Sequence, residues 1–81
     1  MVKSNYLTHP MEWEERIRVM EENLNNGFYD FLYFNISLNI IDAQDNADYD
    51  REMILGRMLA CYKRGAINSI QGYINKLREM L

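Results

Sequence analysis

The segment from Phe28 to Ile41 restricts what this chain can fold into more than any other stretch. Ten of its fourteen residues are apolar: Phe28, Tyr29, Phe31, Leu32, Tyr33, Phe34, Ile36, Leu38, Ile40 and Ile41. Asp30, Asn35, Ser37 and Asn39 interrupt it. A bilayer-spanning helix needs about 18 or more consecutive apolar residues, so this segment must be covered by protein. From Phe34 to Ile40 apolar and polar residues alternate, which is the period of a half-buried strand. At helical period, Phe31, Phe34, Leu38 and Ile41 form a stripe, and polar residues fall on both sides of it, as in a helix buried nearly all round. Every other segment reads as helix, and an isolated strand needs a partner. The helical reading is therefore preferred. A strand over 34–40 would have to pair across a dimer.

The rest of the chain punctuates cleanly. Residues 1–9 read as a flexible arm and residues 10–81 as a single helical domain. Pro10 suits a first helical position, with Glu12, Glu14 and Glu15 close to the positive end of the dipole. Trp13, Ile17, Met20 and Leu24 recur at spacings of four, three and four, and Gly27 supplies a helix stop. The turn-formers of 42–48 read as a polar loop. A third helix is expected from about Asp48 to Arg64, capped by Asp48 or Asn46 and stopped by Gly65. Met53, Ile54, Leu55, Met58, Leu59, Cys61 and Tyr62 cover a wide arc of it. A fourth is expected over Ala66 to Leu81, with Ile67, Ile70, Ile74, Leu77 and Leu81 on one stripe. Gly72 inside it would permit a bend or a close neighbour. The fold class is mainly all-α, a small bundle of three to four helices.

Charge is divided along the chain. Six acids against two arginines leave residues 11–41 at −4, and residues 42–52 carry another −4. Residues 53–81 carry +4 and Lys3 the last positive charge, for a net −3. That balance lacks the basic surplus of a typical nucleic-acid binder. An acidic front and a basic back favour intramolecular or head-to-tail pairing. The lone cysteine, Cys61, makes no internal disulfide, and no basic-then-apolar signal segment opens the chain. The expected location is the cytoplasm, or the host cytoplasm for a viral protein.

No catalytic, metal-binding or cofactor-binding pattern emerges. An EF-hand register starting at Asp42 puts Ala47 where glycine belongs and Met53 where the bidentate glutamate belongs. His9, the only histidine, is far in sequence from Cys61, and there is no phosphate loop, serine elbow or zinc spacing. The chain is expected not to be an enzyme. A helix-turn-helix remains an alternative, with Lys63 and Arg64 on phosphates and Asn68 and Gln71 on base edges. The preferred function is a protein-binding module, a regulator or inhibitor that occludes a working surface of a larger protein. Its expected contact residues are Tyr29, Asp30, Tyr33 and Ile36, since an aromatic surplus marks interfaces. Nine Asn, eight Ile and six Tyr suit an AT-rich virus or plasmid genome. A structural homo-oligomer, such as a homodimer, is the second alternative. In the main reading the partner is another protein, with no membrane and no nucleic acid.

Overall fold

A computed structural model describes residues 12–81. Four α-helices follow one another: α1 Trp13–Asn25, α2 Tyr29–Asp45, α3 Tyr49–Lys63 and α4 Ile70–Glu79. A 3₁₀ turn at Ile67–Ser69 leads into α4. The arm over 1–9 and the helix start at Pro10 lie outside the described residues. Each helix packs on its chain neighbours, and α4 closes the ring onto α1. The bundle architecture is the expected one.

The first three helices end in the same turn. After α1, Gly27 takes a φ of 74°, its N–H bonds the Leu24 carbonyl at 3.2 Å, and the Phe28 N–H reaches the Asn23 carbonyl at 2.9 Å. Gly65, at φ 76°, and Ala66 repeat the pattern after α3. These two glycines sit where only a residue without Cβ adopts left-handed backbone freely. Between α2 and α3 the same position is held by Ala47, at φ 53°. Its N–H bonds Gln44 and the next N–H bonds Ala43, at 3.1 and 2.8 Å, and these bonds offset the steric cost of its methyl group. Asp48 then caps α3, accepting from the Arg51 N–H at 3.3 Å.

The preferred helical reading of 28–41 holds and its alternative falls away, while two expectations are corrected. The segment 34–40 lies within α2, and no strand occurs among the described residues, so the strand pairing across a dimer falls away. The loop expected over 42–48 begins only at Asn46, because Asp42 and Ala43 are buried and their turn packs into the bundle. The fourth helix does not run unbroken from Ala66: the Ala66 N–H turns back to Cys61, and the 3₁₀ turn intervenes. Gly72 is exposed, with nothing within 4 Å of where a Cβ would stand, so no neighbour exploits it.

Every helix contributes two or three side chains to one core. Ile17 and Met20 come from α1, Leu32, Ile36 and Ala43 from α2, Leu55, Met58 and Cys61 from α3, and Ile70, Ile74 and Leu77 from α4. Beside this apolar centre runs a buried polar seam between α1 and α2. Arg16, 2% exposed, forms an ion pair with Asp42 and donates to Asn39 Oδ1 at 3.3 Å. Asn39 is fully buried, and its amide donates to the Asn35 carbonyl at 2.8 Å. Asn23 donates to Asn35 Oδ1 at 2.6 Å, and Asn46 donates to the Asp42 carbonyl at 2.8 Å. Asn35, Asn39 and Asp42 are spaced four and three apart, so they line one side of α2. That side faces α1. The guanidinium carbons of Arg16 and Arg51 each lie 4.7 Å from the centroid of the Trp13 ring, adding cation–π attraction at the same corner.

Removing one partner of a buried ion pair strands the other charge, at a cost of about 3–5 kcal/mol. Arg16→Ala and Asp42→Ala should each lower urea-unfolding stability by that order. The double change Arg16→Met with Asp42→Leu should cost less than either, since it leaves no orphaned charge. A second prediction concerns the α1–α4 contact. Glu21 accepts from Gln71 Nε2 at 2.7 Å and from Arg78 Nη2 at 2.9 Å, and the hydrogen bond from Arg78, with that from Gln71, holds its carboxyl below the usual 4.5. A lowered folded-state pKa stabilises above the ordinary value and is lost as pH falls through it. The melting temperature of the native chain should therefore drop more steeply below about pH 5 than that of Glu21→Gln. At neutral pH the variant should be less stable by about 0.5 kcal/mol.

Candidate functional site

Packing Leu32, Ile36 and Ala43 into the core, with Asn35, Asn39 and Asp42 beside them against α1, turns the opposite side of α2 outward, and that side is apolar. Phe31 is 65% exposed, Phe34 57% and Ile41 45%, with Leu38 half-buried among them. Phe28, also exposed, meets Phe31 edge-on with ring centroids 6.3 Å apart. The spacing 31, 34, 38, 41 is three, four, three, which is the spacing of core positions in paired helices. Among the described residues no helix lies over them. The face is bounded by Asp30 at one end and Asp45 at the other, and α2 contains no basic residue. Aromatic side chains presented at this spacing on a rigid helix form a surface suited to another helix.

The expected contact residues divide. Tyr29, Asp30 and Tyr33 are exposed on α2. The Tyr33 ring is committed to Tyr62 of α3, at 5.3 Å between centroids. Ile36 is corrected: it is fully buried, because it lies on the same side as Leu32 and Ala43 and points into the core. The exposed stripe instead belongs to Phe31, Phe34, Leu38 and Ile41. The sequence held one signal for this, the Asn35–Asn39–Asp42 stripe, whose inward placement needs a buried cation such as Arg16.

Two shallow grooves lie on the described surface. One, of about 290 Å³, is lined by Leu24, Asn25, Tyr29, Ile67, Asn68 and Gln71. The other, of about 300 Å³, lies between α3 and α4 and is lined by Met53, Ile54, Arg57, Tyr73 and Lys76. Met53 stands 55% exposed at its rim.

The chain matches no family model, no curated protein and no solved structure.

The residues of the helix-turn-helix alternative are also placed. Lys63, Arg64 and Asn68 are exposed around the α3–α4 turn, and Arg64 Nη2 lies 3.5 Å from Cys61 Sγ. Gln71 is half-buried, with its amide nitrogen donating to both Glu21 and Asn75. Glu21 also holds Arg78, so a carboxylate sits on the face that would meet phosphates. Among the described residues no group of His, Cys, Asp and Glu could hold a metal ion, and no helix is long and apolar enough to cross a membrane. Cys61 is a free, buried thiol, and His9 lies outside the described residues.

The orientation of α2 has a direct energetic signature. Phe31→Ser with Phe34→Ser should change chemical-denaturation stability by no more than about 0.5 kcal/mol per site, as surface changes do. Leu32→Ala, between them in sequence, should cost about 2–5 kcal/mol, because it empties a core position.

Proposed function

We propose that this chain is a non-catalytic protein-binding module whose working surface is the outward face of α2, centred on Phe31 and Phe34. One observation carries this reading. A folded helix presents an apolar stripe at helix-pairing spacing to solvent while keeping its polar stripe inside. Burying those rings on folding was open to the sequence by a rotation of α2, and the Arg16 pairing opposes it. Exposed apolar faces of this kind mark interaction sites. The rings bring large apolar area at low conformational cost, and Asp30 and Asp45 would steer orientation from the rim.

In this role the module acts as a regulator or inhibitor, laying α2 over a helix or groove of a larger protein and denying it to others. The cytoplasm, or a host's cytoplasm if the chain is virus-borne, is the compartment where such a partner would be met. The test is affinity capture from lysate of the native host, with the native chain and with Phe31→Ser/Phe34→Ser as paired baits. A protein retained by the native chain and lost by at least tenfold with the variant is the expected result. Equal recovery on both baits, or enrichment on neither, overturns the proposal.

A further inference from the structure

The described residues start at Glu12, and its place in the bundle decides what the residues before it can touch. The pair α1–α2 is antiparallel: Arg16 pairs with Asp42, Asn39 Nδ2 lies 3.6 Å from Met20 Sδ, and Asn23 donates to Asn35. Helix α1 therefore begins beside the end of α2. The Glu12 carbonyl accepts from the Arg16 N–H at 3.0 Å, one turn on, so Glu12 shares the side of α1 that faces α2. On α2, Leu38 stands one turn before Asp42, half-buried where the polar seam passes into the exposed stripe. The chain thus enters α1 from the Ile41 end of the apolar face.

We infer that residues 1–11 lie back along α2 and cover Phe31, Phe34, Leu38 and Ile41 until a partner displaces them. This rests on the reading of α2 as the working surface and adds its regulation. Length permits it. Extended backbone covers about 3.3 Å per residue, so Leu7 and Tyr6, five and six residues before Glu12, reach about 17 and 20 Å. From Ile41 to Phe31 the stripe rises about 15 Å at 1.5 Å per helical residue. Pro10 biases the residue before it toward extended backbone, which favours reach over helical rise. Composition permits it too. Val2, Tyr6, Leu7 and Met11 supply apolar side chains, and no acid among residues 1–11 opposes Asp30 and Asp45 at the ends of α2. Tethering then selects this occupant over a second copy. A segment joined by a few residues meets the face at an effective concentration of about millimolar, whatever the concentration of the chain.

Chymotrypsin nicking after Tyr6 and Leu7, followed by mass spectrometry on the purified full chain, tests this. Phe31→Ser/Phe34→Ser should be nicked there at least fivefold faster than the native chain, with circular dichroism and melting unchanged. The native rate per molecule should not vary with protein concentration. Equal rates in the two chains overturn the proposal, and so does a native rate that falls as concentration rises, which would make a second copy the cover. The reciprocal change leaves the folded helices untouched. Tyr6→Ser/Leu7→Ser should bind the apolar dye anilinonaphthalene sulfonate at least threefold more than the native chain, and adding Phe31→Ser/Phe34→Ser should remove the gain. Dye binding no higher than native overturns the cover. If nicking and dye binding fail to respond while ring-dependent capture from lysate persists, the cover is rejected and the α2 reading stands. If they respond and no partner is captured even by Tyr6→Ser/Leu7→Ser, the α2 reading is rejected, and displacement by a partner with it.

Discussion

The buried pairing of Arg16 with Asp42 and Asn39 sets the angle of α2 about its own axis, and most of what distinguishes this molecule follows from that angle. A helix with apolar residues on nearly all sides could seat several different stripes against its neighbours at similar hydrophobic gain. A buried guanidinium cannot tolerate that freedom, because any rotation that separates it from its carboxylate leaves a charge in an apolar interior. Buried polar groups are known to fix register at some cost in stability, and here the register being fixed is rotational. Leu32, Ile36 and Ala43 are then the apolar residues that remain for the core, and they fill it. The phenylalanines are what is left over.

This arrangement also explains which parts of the fold were legible in the sequence. The stripes of α1 and α4 have one apolar side and one polar side, so burial has a single solution: Ile17 and Met20, and Ile70, Ile74 and Leu77, are the buried members, while Leu81, expected on the same stripe, lies past the end of α4 and is exposed. Gly27, Gly65 and Asp48 marked their turns by intrinsic backbone and capping preference, which tertiary packing did not override. The segment 28–41 was harder. Its alternation from Phe34 to Ile40 is real, but it arises from asparagines needed four residues apart for the seam with α1, interleaved with apolar residues serving two different sides. The carboxylate of Asp42, a turn-former by composition, was the residue that extended α2 beyond its expected end.

The candidate site was legible in kind and not in position. An aromatic surplus in this segment pointed to an interaction surface, and Tyr29, Asp30 and Tyr33 do lie at the surface of α2. The aromatic surplus named the segment without choosing its face, so Ile36 stood in place of Phe31 and Phe34. A one-dimensional pattern ranks isoleucine and phenylalanine alike as core material. What separates them is which side of the helix a partner elsewhere in the chain turns inward, 23 positions away in the case of Arg16 and Asn39. Information of that range is carried by contacts between elements and has no local signature.

Trp13 gives this molecule a built-in reporter of the same corner. It is the only tryptophan in the chain, and its ring is bracketed by the guanidinium groups of Arg16 and Arg51. Those two arginines tie α1 to α2 through Asp42 and brace the cap of α3 through Asp48. Intrinsic emission from the indole therefore comes from one place, where three helices meet, with no second fluorophore of its kind to dilute it. Loosening of the α1–α2 seam would change the charge and polarity around that ring before the far end of the bundle moved. A spectroscopist watching this one residue would be watching the contact that decides which way the phenylalanines face.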